Sequence, residues 1–161
     1  MGALAFCPFY KWPTAFPRER AFQAVAETFH CRVRIPFAVD GGLRGFWRSC
    51  AVSPAGWLAA LQQAPFVVTN SFHATLFALL FHRPFAVLEA SGTHQAMNAR
   101  FRTLATRLGI EQRLVPATMH EAAFRELLQT PIDWAAIDAR IAAWRTDSRH
   151  FLCTALASNK A

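Results

Sequence analysis

Apolar and polar positions change period several times along this chain, and the changes mark out alternating strands and helices. Ala3 to Tyr10 is an apolar run of strand length, broken by Pro13 and Pro17. Phe22, Val25, Ala26 and Phe29 follow at helical spacing, with Pro17 set to open that helix. Cys31 to Val39 reads as a second strand, ended by Asp40-Gly41-Gly42 and a loop to about Val52. Ser53-Pro54 is an N-cap with proline at the first helical position, ahead of a stripe of Trp57, Leu58 and Leu61. Phe66-Val67-Val68-Thr69 suits a strand buried on both faces. A helix starting near Ser71 carries Leu76, Phe77, Leu80 and Phe81 and stops at His82-Arg83-Pro84.

Phe85 to Leu88 is the next predicted strand. Met97, Phe101, Leu104, Ala105 and Leu108 form an amphipathic helix stopped by Gly109. Ile110 to Val115 is short and extended, and Thr118 with Glu121 reads as a capping box for a helix through Leu128. Asp133 caps a last long helix with Trp134, Ile137, Ile141 and Trp144 on one face. Strands alternating with helices over short connections predict an α/β domain, Rossmann-like, with a mainly parallel sheet flanked by helices. Residues 1–161 are expected to form one such domain, with its core over about 3–130 and a carboxyl-terminal helical segment at 131–157.

Composition narrows the class. Apolar residues are 53% and charged residues 17%, enough for a real core and unlike a disordered chain. No window reaches the ~18 apolar residues that cross a bilayer, so no transmembrane segment is expected. Met1 to Phe9 lacks the flanks of a signal peptide and reads as a buried strand. The formal charge of +7 favours anionic partners. The arginines are scattered and no nucleic-acid motif occurs, so nucleic acid is not an expected partner. Cys7, Cys31, Cys50 and Cys153 form no C-x-x-C pair and read as reduced, mostly buried thiols, with no metal site expected.

Chemistry concentrates at Thr69-Asn70-Ser71-Phe72-His73-Ala74-Thr75. A buried strand ends there and a helix begins at once. Helix starts offer free N–H groups and the positive end of the dipole, a ready anion site. In parallel sheets, ligands sit beyond the carboxyl ends of the strands. His73 would donate a hydrogen bond to a bound anion or exchange a proton, while Ser71 and Thr75 add hydroxyls. The same residues also fit a plain helix cap with an interior histidine. Lys11, after the first strand, could reach this cleft; Arg100 and Arg102 lie on the polar side of their helix. His82, His94 and His120 receive no role.

The order of motifs resembles the polysaccharide pyruvyl transferase family. Val52-Ser53-Pro54, Trp57-Leu58 and Val67 to Phe77 look like its serine–proline helix, apolar strand and D-S-F-H-G-T turn. Arg83-Pro84-Phe85, Asn98-x-Arg100-Phe101, Leu108-Gly109-Ile110-Glu111-x-Arg113, Ile132-Asp133-Trp134 and Arg145 to Leu152 look like later family segments. The resemblance is good over about residues 50 to 156 and looser before that. Asn70 stands where the family has Asp, and Ala74 where it has Gly.

The resemblance implies the carboxyl-terminal, donor-binding half of a GT-B-like enzyme, with an amino-terminal acceptor domain missing or supplied by a partner chain. Its reaction would move pyruvate from phosphoenolpyruvate onto a sugar of an exopolysaccharide precursor as a ketal, without a cofactor. His73 would then be the catalytic or phosphate-binding residue. Ser71, the backbone at Phe72 and Arg100 match family positions and would bind substrate; Asn70, Thr75 and Lys11 are expected to join them from their places at the turn and the first strand's end. The acceptor would be a saccharide, lipid-linked at the inner membrane face, and the enzyme cytoplasmic or peripheral there. Two alternatives stay open: an inactive anion-binding or partner-pairing remnant, and a nucleotide-sugar glycosyltransferase domain.

Overall fold

The computed structural model describes residues 2–6, 15–34, 53–90 and 92–158. Its strands are β1 (Gly2–Phe6), β2 (Arg32–Arg34), β3 (Val67–Thr69), β4 (Phe85–Leu88) and β5 (Leu114–Val115). They form one sheet in the order β2-β1-β3-β4-β5, and every adjacent pair is parallel. The helices are α1 (Arg18–Thr28), α2 (Pro54–Gln63), α3 (Phe72–Leu80), α4 (Asn98–Leu108), α5 (Glu121–Gln129) and α6 (Trp134–Ser158). The expected α/β architecture with a helix-flanked parallel sheet is present.

Two apolar layers hold the sheet between them. Val67, Phe85 and Val87 point to one layer, against Leu61 of α2, Ala74 and Ala78 of α3, and Phe101, Leu104 and Leu108 of α4. Val68, Ala86, Leu88 and Val115 point to the other, against Ala21, Ala24 and Val25 of α1 and Phe124, Leu127 and Leu128 of α5. Adjacent residues of β3 and β4 thus feed opposite cores, which is why both runs are apolar throughout.

The strand order places a reversal between β1 and β3: from β1 the chain moves outward to β2, and from β3 it moves the other way to β4 and β5. Crossover helices on the two sides of such a reversal lie on opposite faces, and in parallel sheets ligands sit beyond the strands' carboxyl ends at such a point. Phe6 pairs with Thr69 across the reversal, so the last residue of β3 stands at that point.

Local signals account for most boundaries. Ser53 Oγ accepts a hydrogen bond from Gly56 N at 3.0 Å, as an N-cap followed by proline requires. Asp133 Oδ1 accepts from Ala136 N at 3.0 Å at the start of α6. Gly109 ends α4 with φ 66°, the left-handed conformation glycine adopts without a Cβ penalty. His82 takes the same role after α3 with φ 50° despite its side chain.

Several expectations change. Thr118 and Glu121 form no capping box: α5 starts later, with His120 at the cap and no side-chain cap bond. The turn closed by Met119 N to Pro116 O uses up that stretch, and the Glu121 carboxylate bonds Arg20 and Arg125 instead. Leu80 is 62% exposed, because the small Ala74 and Ala78 are the residues of α3 closest to the sheet. In α1 the alanines Ala21 and Ala24 lie innermost with Val25, while Phe22 and Phe29 are half-buried. Residues Glu111–Arg113 form a 3-10 turn before β5 rather than extended chain. Cys31 is half-buried and Cys153 exposed, against the expectation of mostly buried thiols. Tyr10, the Asp40-Gly41-Gly42 turn, Cys7 and Cys50 lie outside the described residues.

Candidate functional site

The turn from β3 into α3 stands beside the β1/β3 reversal. Thr69 is fully buried, and its Oγ1 accepts from Ser71 N at 2.9 Å, which bends the chain out of the strand. Ser71 is the N-cap of α3 and its Oγ accepts weakly from Ala74 N at 3.5 Å. Its carbonyl accepts both Thr75 N and the Thr75 hydroxyl, each at 3.0 Å. Thr75, 1% exposed, therefore spends its hydroxyl on the turn and braces it. Among the described residues no acceptor is recorded for Phe72 N or His73 N. Free first-turn amides and the positive helix end attract an anion.

His73 is exposed, which removes the alternative of an interior histidine. Its imidazole has no hydrogen-bond partner among the described residues. Asn70 is 9% exposed, and no hydrogen bond of its amide is recorded among the described residues. The short amide is held at the end of β3 without being used to brace the turn. Ala74 is fully buried against the sheet side of α3, so its methyl points into the core and not out of the helix start.

Arg100 joins this site from α4. Its guanidinium carbon lies 5.3 Å from the ring centroid of Phe72 and 5.5 Å from that of Phe101, and the two rings pack edge to face at 5.5 Å. Phe72 is the first residue of α3, so this contact holds an exposed cation against the side chain that opens the helix. No carboxylate pairs with Arg100 among the described residues. The fold thus brings together Asn70, Ser71, Phe72, His73, Thr75 and Arg100. Lys11 lies outside the described residues.

The neighbouring charges are already engaged. Arg102 donates to Glu89 at 2.8 Å, and that hydrogen bond raises the arginine's affinity for its proton. Asn98 is 2% exposed and makes a two-way bridge: its Oδ1 accepts from Ala90 N at 2.8 Å and its Nδ2 donates to Ala90 O at 2.9 Å. This ties the segment after β4 to the start of α4 and sets the height at which Arg100 emerges. His82 shares a hydrogen bond of 3.1 Å with Asp138 and stacks on Trp134, linking α3 to α6 away from the turn. His120 is an exposed helix cap. No group of three His, Cys, Asp or Glu among the described residues could hold a metal ion.

Arg113 is the functional-looking residue that sequence reasoning gave no structural part. It is 1% exposed and donates to the carbonyls of Leu127, Thr130 and Pro131, two of them at 3.0 and 3.1 Å. These oxygens close the end of α5, where the negative end of the dipole favours a cation. Burial pushes its guanidinium below the ordinary arginine value, and its Nε has no partner among the described residues. The sequence signals were its place in the Leu108-Gly109-Ile110-Glu111-x-Arg113 segment and a lone arginine directly before the apolar pair Leu114-Val115.

Residues 23–92 match the family model described as polysaccharide pyruvyl transferase. The matched stretch runs from α1 through β4 and holds the whole β3–α3 turn, whereas Asn98, Arg100 and Arg113 lie beyond it. No curated protein and no solved structure matches the chain.

Proposed function

We propose that this chain, which carries the polysaccharide pyruvyl transferase family's segment over residues 23–92, binds phosphoenolpyruvate at the start of α3 and passes its pyruvyl group to a saccharide. The observation that carries this reading is the exposed His73 in the first turn of α3, at the β1/β3 reversal, within the family-matched segment. A GT-B-like pairing with a second, acceptor-binding domain fits this reading. So does a lipid-linked precursor of an exopolysaccharide, met at the cytoplasmic face of a membrane. Among the described residues no helix is long and apolar enough to cross one.

In the proposed mechanism the donor phosphate takes the free amides of Phe72 and His73, and Arg100 receives the donor carboxylate. Phe72 contributes through its backbone and by holding Arg100 over its ring. The neutral Asn70 amide leaves the site without an anion that would repel the donor, and it can itself donate a hydrogen bond. Ser71 and Thr75 hold the turn in shape. A proton is delivered to the methylene carbon, and His73 is the group at hand to deliver it. The resulting oxocarbenium-like centre is attacked by one sugar hydroxyl, which gives up its proton. The C–O bond to phosphate then breaks and inorganic phosphate leaves. The second hydroxyl closes the ketal and gives up its own proton. One hydroxyl proton thereby replaces the one delivered to carbon, and the other leaves with phosphate. Fixed amide dipoles and a cation supply the charge stabilisation, with no cofactor required.

A His73→Ala variant tests the assignment, with donor binding followed by calorimetry and ketal formation by mass spectrometry. Loss of ketal formation with donor binding kept assigns His73 to proton transfer, and loss of both assigns it to phosphate binding. Unchanged binding and turnover would remove His73 from the mechanism. General acid–base residues contribute about 10²–10⁴-fold, which sets the size of the expected loss in turnover.

A further inference from the structure

α6 carries one stripe, apolar except at Ser148, that runs further than the domain it packs on. Trp134, Ile137, Ile141, Trp144, Ser148, Phe151 and Ala155 recur at alternating steps of three and four, so they share one face. The first four lie against the core, with Ile137 3% exposed. From Arg145 to Ala157 every residue is exposed. Phe151, Leu152 and Leu156 stand 71%, 56% and 69% in solvent, and Leu80 is the one other large apolar side chain so exposed among the described residues. Between the end of α4 and this part of α6 runs a groove of about 400 Å³ lined by Arg107, Trp144, Asp147, Ser148, Phe151 and Leu152.

The charges beside the stripe are one-sided. Arg145, Arg149, Leu152 and Leu156 follow at steps of four, three and four, which places two arginines in line with two leucines. No ion-pair partner of either guanidinium is recorded among the described residues. Arg107 adds a third cation, its guanidinium 4.6 Å from the Trp144 ring centroid. Asp147 is the lone acid between Arg145 and Ser158, and it lies on the other flank.

We propose that the distal half of α6 lies on an anionic lipid surface, with Phe151, Leu152 and Leu156 entering the headgroup boundary and Arg145 and Arg149 meeting lipid phosphates. The charge pattern favours lipid over a second copy of the chain. In a two-fold antiparallel pair of α6 helices, like flanks face each other, so the arginine row would meet its own copy. A basic, apolar-tipped helix needs no matching pocket, and the chain's +7 charge adds long-range attraction. This would bring the proposed donor site to a membrane-held acceptor, although vesicle binding and donor binding are measured separately and fail separately.

The test is flotation of the full chain with vesicles of phosphatidylglycerol and phosphatidylcholine, compared with phosphatidylcholine alone, at about 0.1 M salt where charge is still felt over ~10 Å. Affinity for the anionic vesicles is expected to exceed that for neutral ones at least tenfold. Phe151→Ser with Leu156→Ser, and independently Arg145→Gln with Arg149→Gln, should each lower it at least tenfold. All four positions are exposed, and circular dichroism checks that the fold is kept. No binding to anionic vesicles, equal binding to both kinds, or unchanged binding in both variant pairs would overturn the proposal. So would light scattering that shows the apolar pair dissolving a dimer while vesicle binding stays the same.

Discussion

Arg113→Met separates a structural arginine from a functional one. The substitution keeps much of the stem's volume and removes a buried cation that bonds Leu127, Thr130 and Pro131. Each hydrogen bond to a charged group contributes about 1.5–3 kcal/mol. Three would give several kcal/mol, but two corrections reduce the sum. Burying a guanidinium without a carboxylate costs several kcal/mol, which methionine relieves. Thr130 and Pro131 are exposed residues, so water can serve their carbonyls. The Leu127 carbonyl also accepts from Thr130 N at 3.3 Å, a partial substitute. The balance is a net loss of about 2–3 kcal/mol, the cost of leaving about one helix-end carbonyl poorly served. For a chain of 161 residues this lowers the melting temperature by about 4–12 °C. Urea unfolding should show a lower midpoint at unchanged slope. Phosphoenolpyruvate affinity should be unchanged below the transition, since Arg113 faces the end of α5. A loss under about 1 kcal/mol would refute the carbonyl clamp. Weakened donor binding in the folded variant would refute its separation from the site.

Asn98→Ala removes both bonds to Ala90 and leaves those backbone groups poorly served, so a loss of about 2–3 kcal/mol is expected in thermal or urea unfolding. Because the bridge sets where α4 begins, donor affinity should also fall in the folded variant, as Arg100 is carried by the same turn. The third prediction concerns acid. Glu27 is held below the ordinary carboxylate value first by its hydrogen bond from Arg125, and Glu121 first by that from Arg20 and then by that from Arg125. A lowered folded value means the stabilisation is present above the unfolded value and is lost as pH falls through the folded one. Wild type should therefore lose more stability than Arg125→Gln as pH drops below about 4.5. Salt at about 1 M should shrink that difference, because Arg20 and Glu27 are exposed and Glu121 and Arg125 half-exposed. Equal acid sensitivity in the two proteins would remove the network linking α1 to α5.

Much of the architecture was legible in short-range patterns. The apolar runs Val67 to Thr69 and Phe85 to Leu88 read as doubly buried strands because each feeds two cores, and a run without polar gaps has no other economical place. Ser53, Asp133 and Gly109 read as helix ends because their chemistry acts within four residues. The β3–α3 turn was legible for the same reason: strand, cap and first-turn histidine are contiguous.

What the sequence left open depended on residues far apart in the chain. The capping box at Thr118 looked sound locally, yet Glu121 found arginines on α1 and on its own helix, and the Pro116 turn delayed the helix. Arg100 looked like one of two solvated arginines. Only packing of α4 beside α3 told them apart, by setting Arg100 over Phe72 and turning Arg102 to Glu89. His73 could have been interior or exposed, since helical spacing does not say which face meets the sheet; the small Ala74 and Ala78 decided that face. Arg113 shows the same limit from the other side, for its three carbonyl partners lie fourteen to eighteen residues on. The sequence by itself determined the order of the elements and the turn where an anion could bind, because those follow from caps and periods of a few residues. Tertiary structure alone decided which charges stand free at that turn, because a charge's partner is chosen by contact in space.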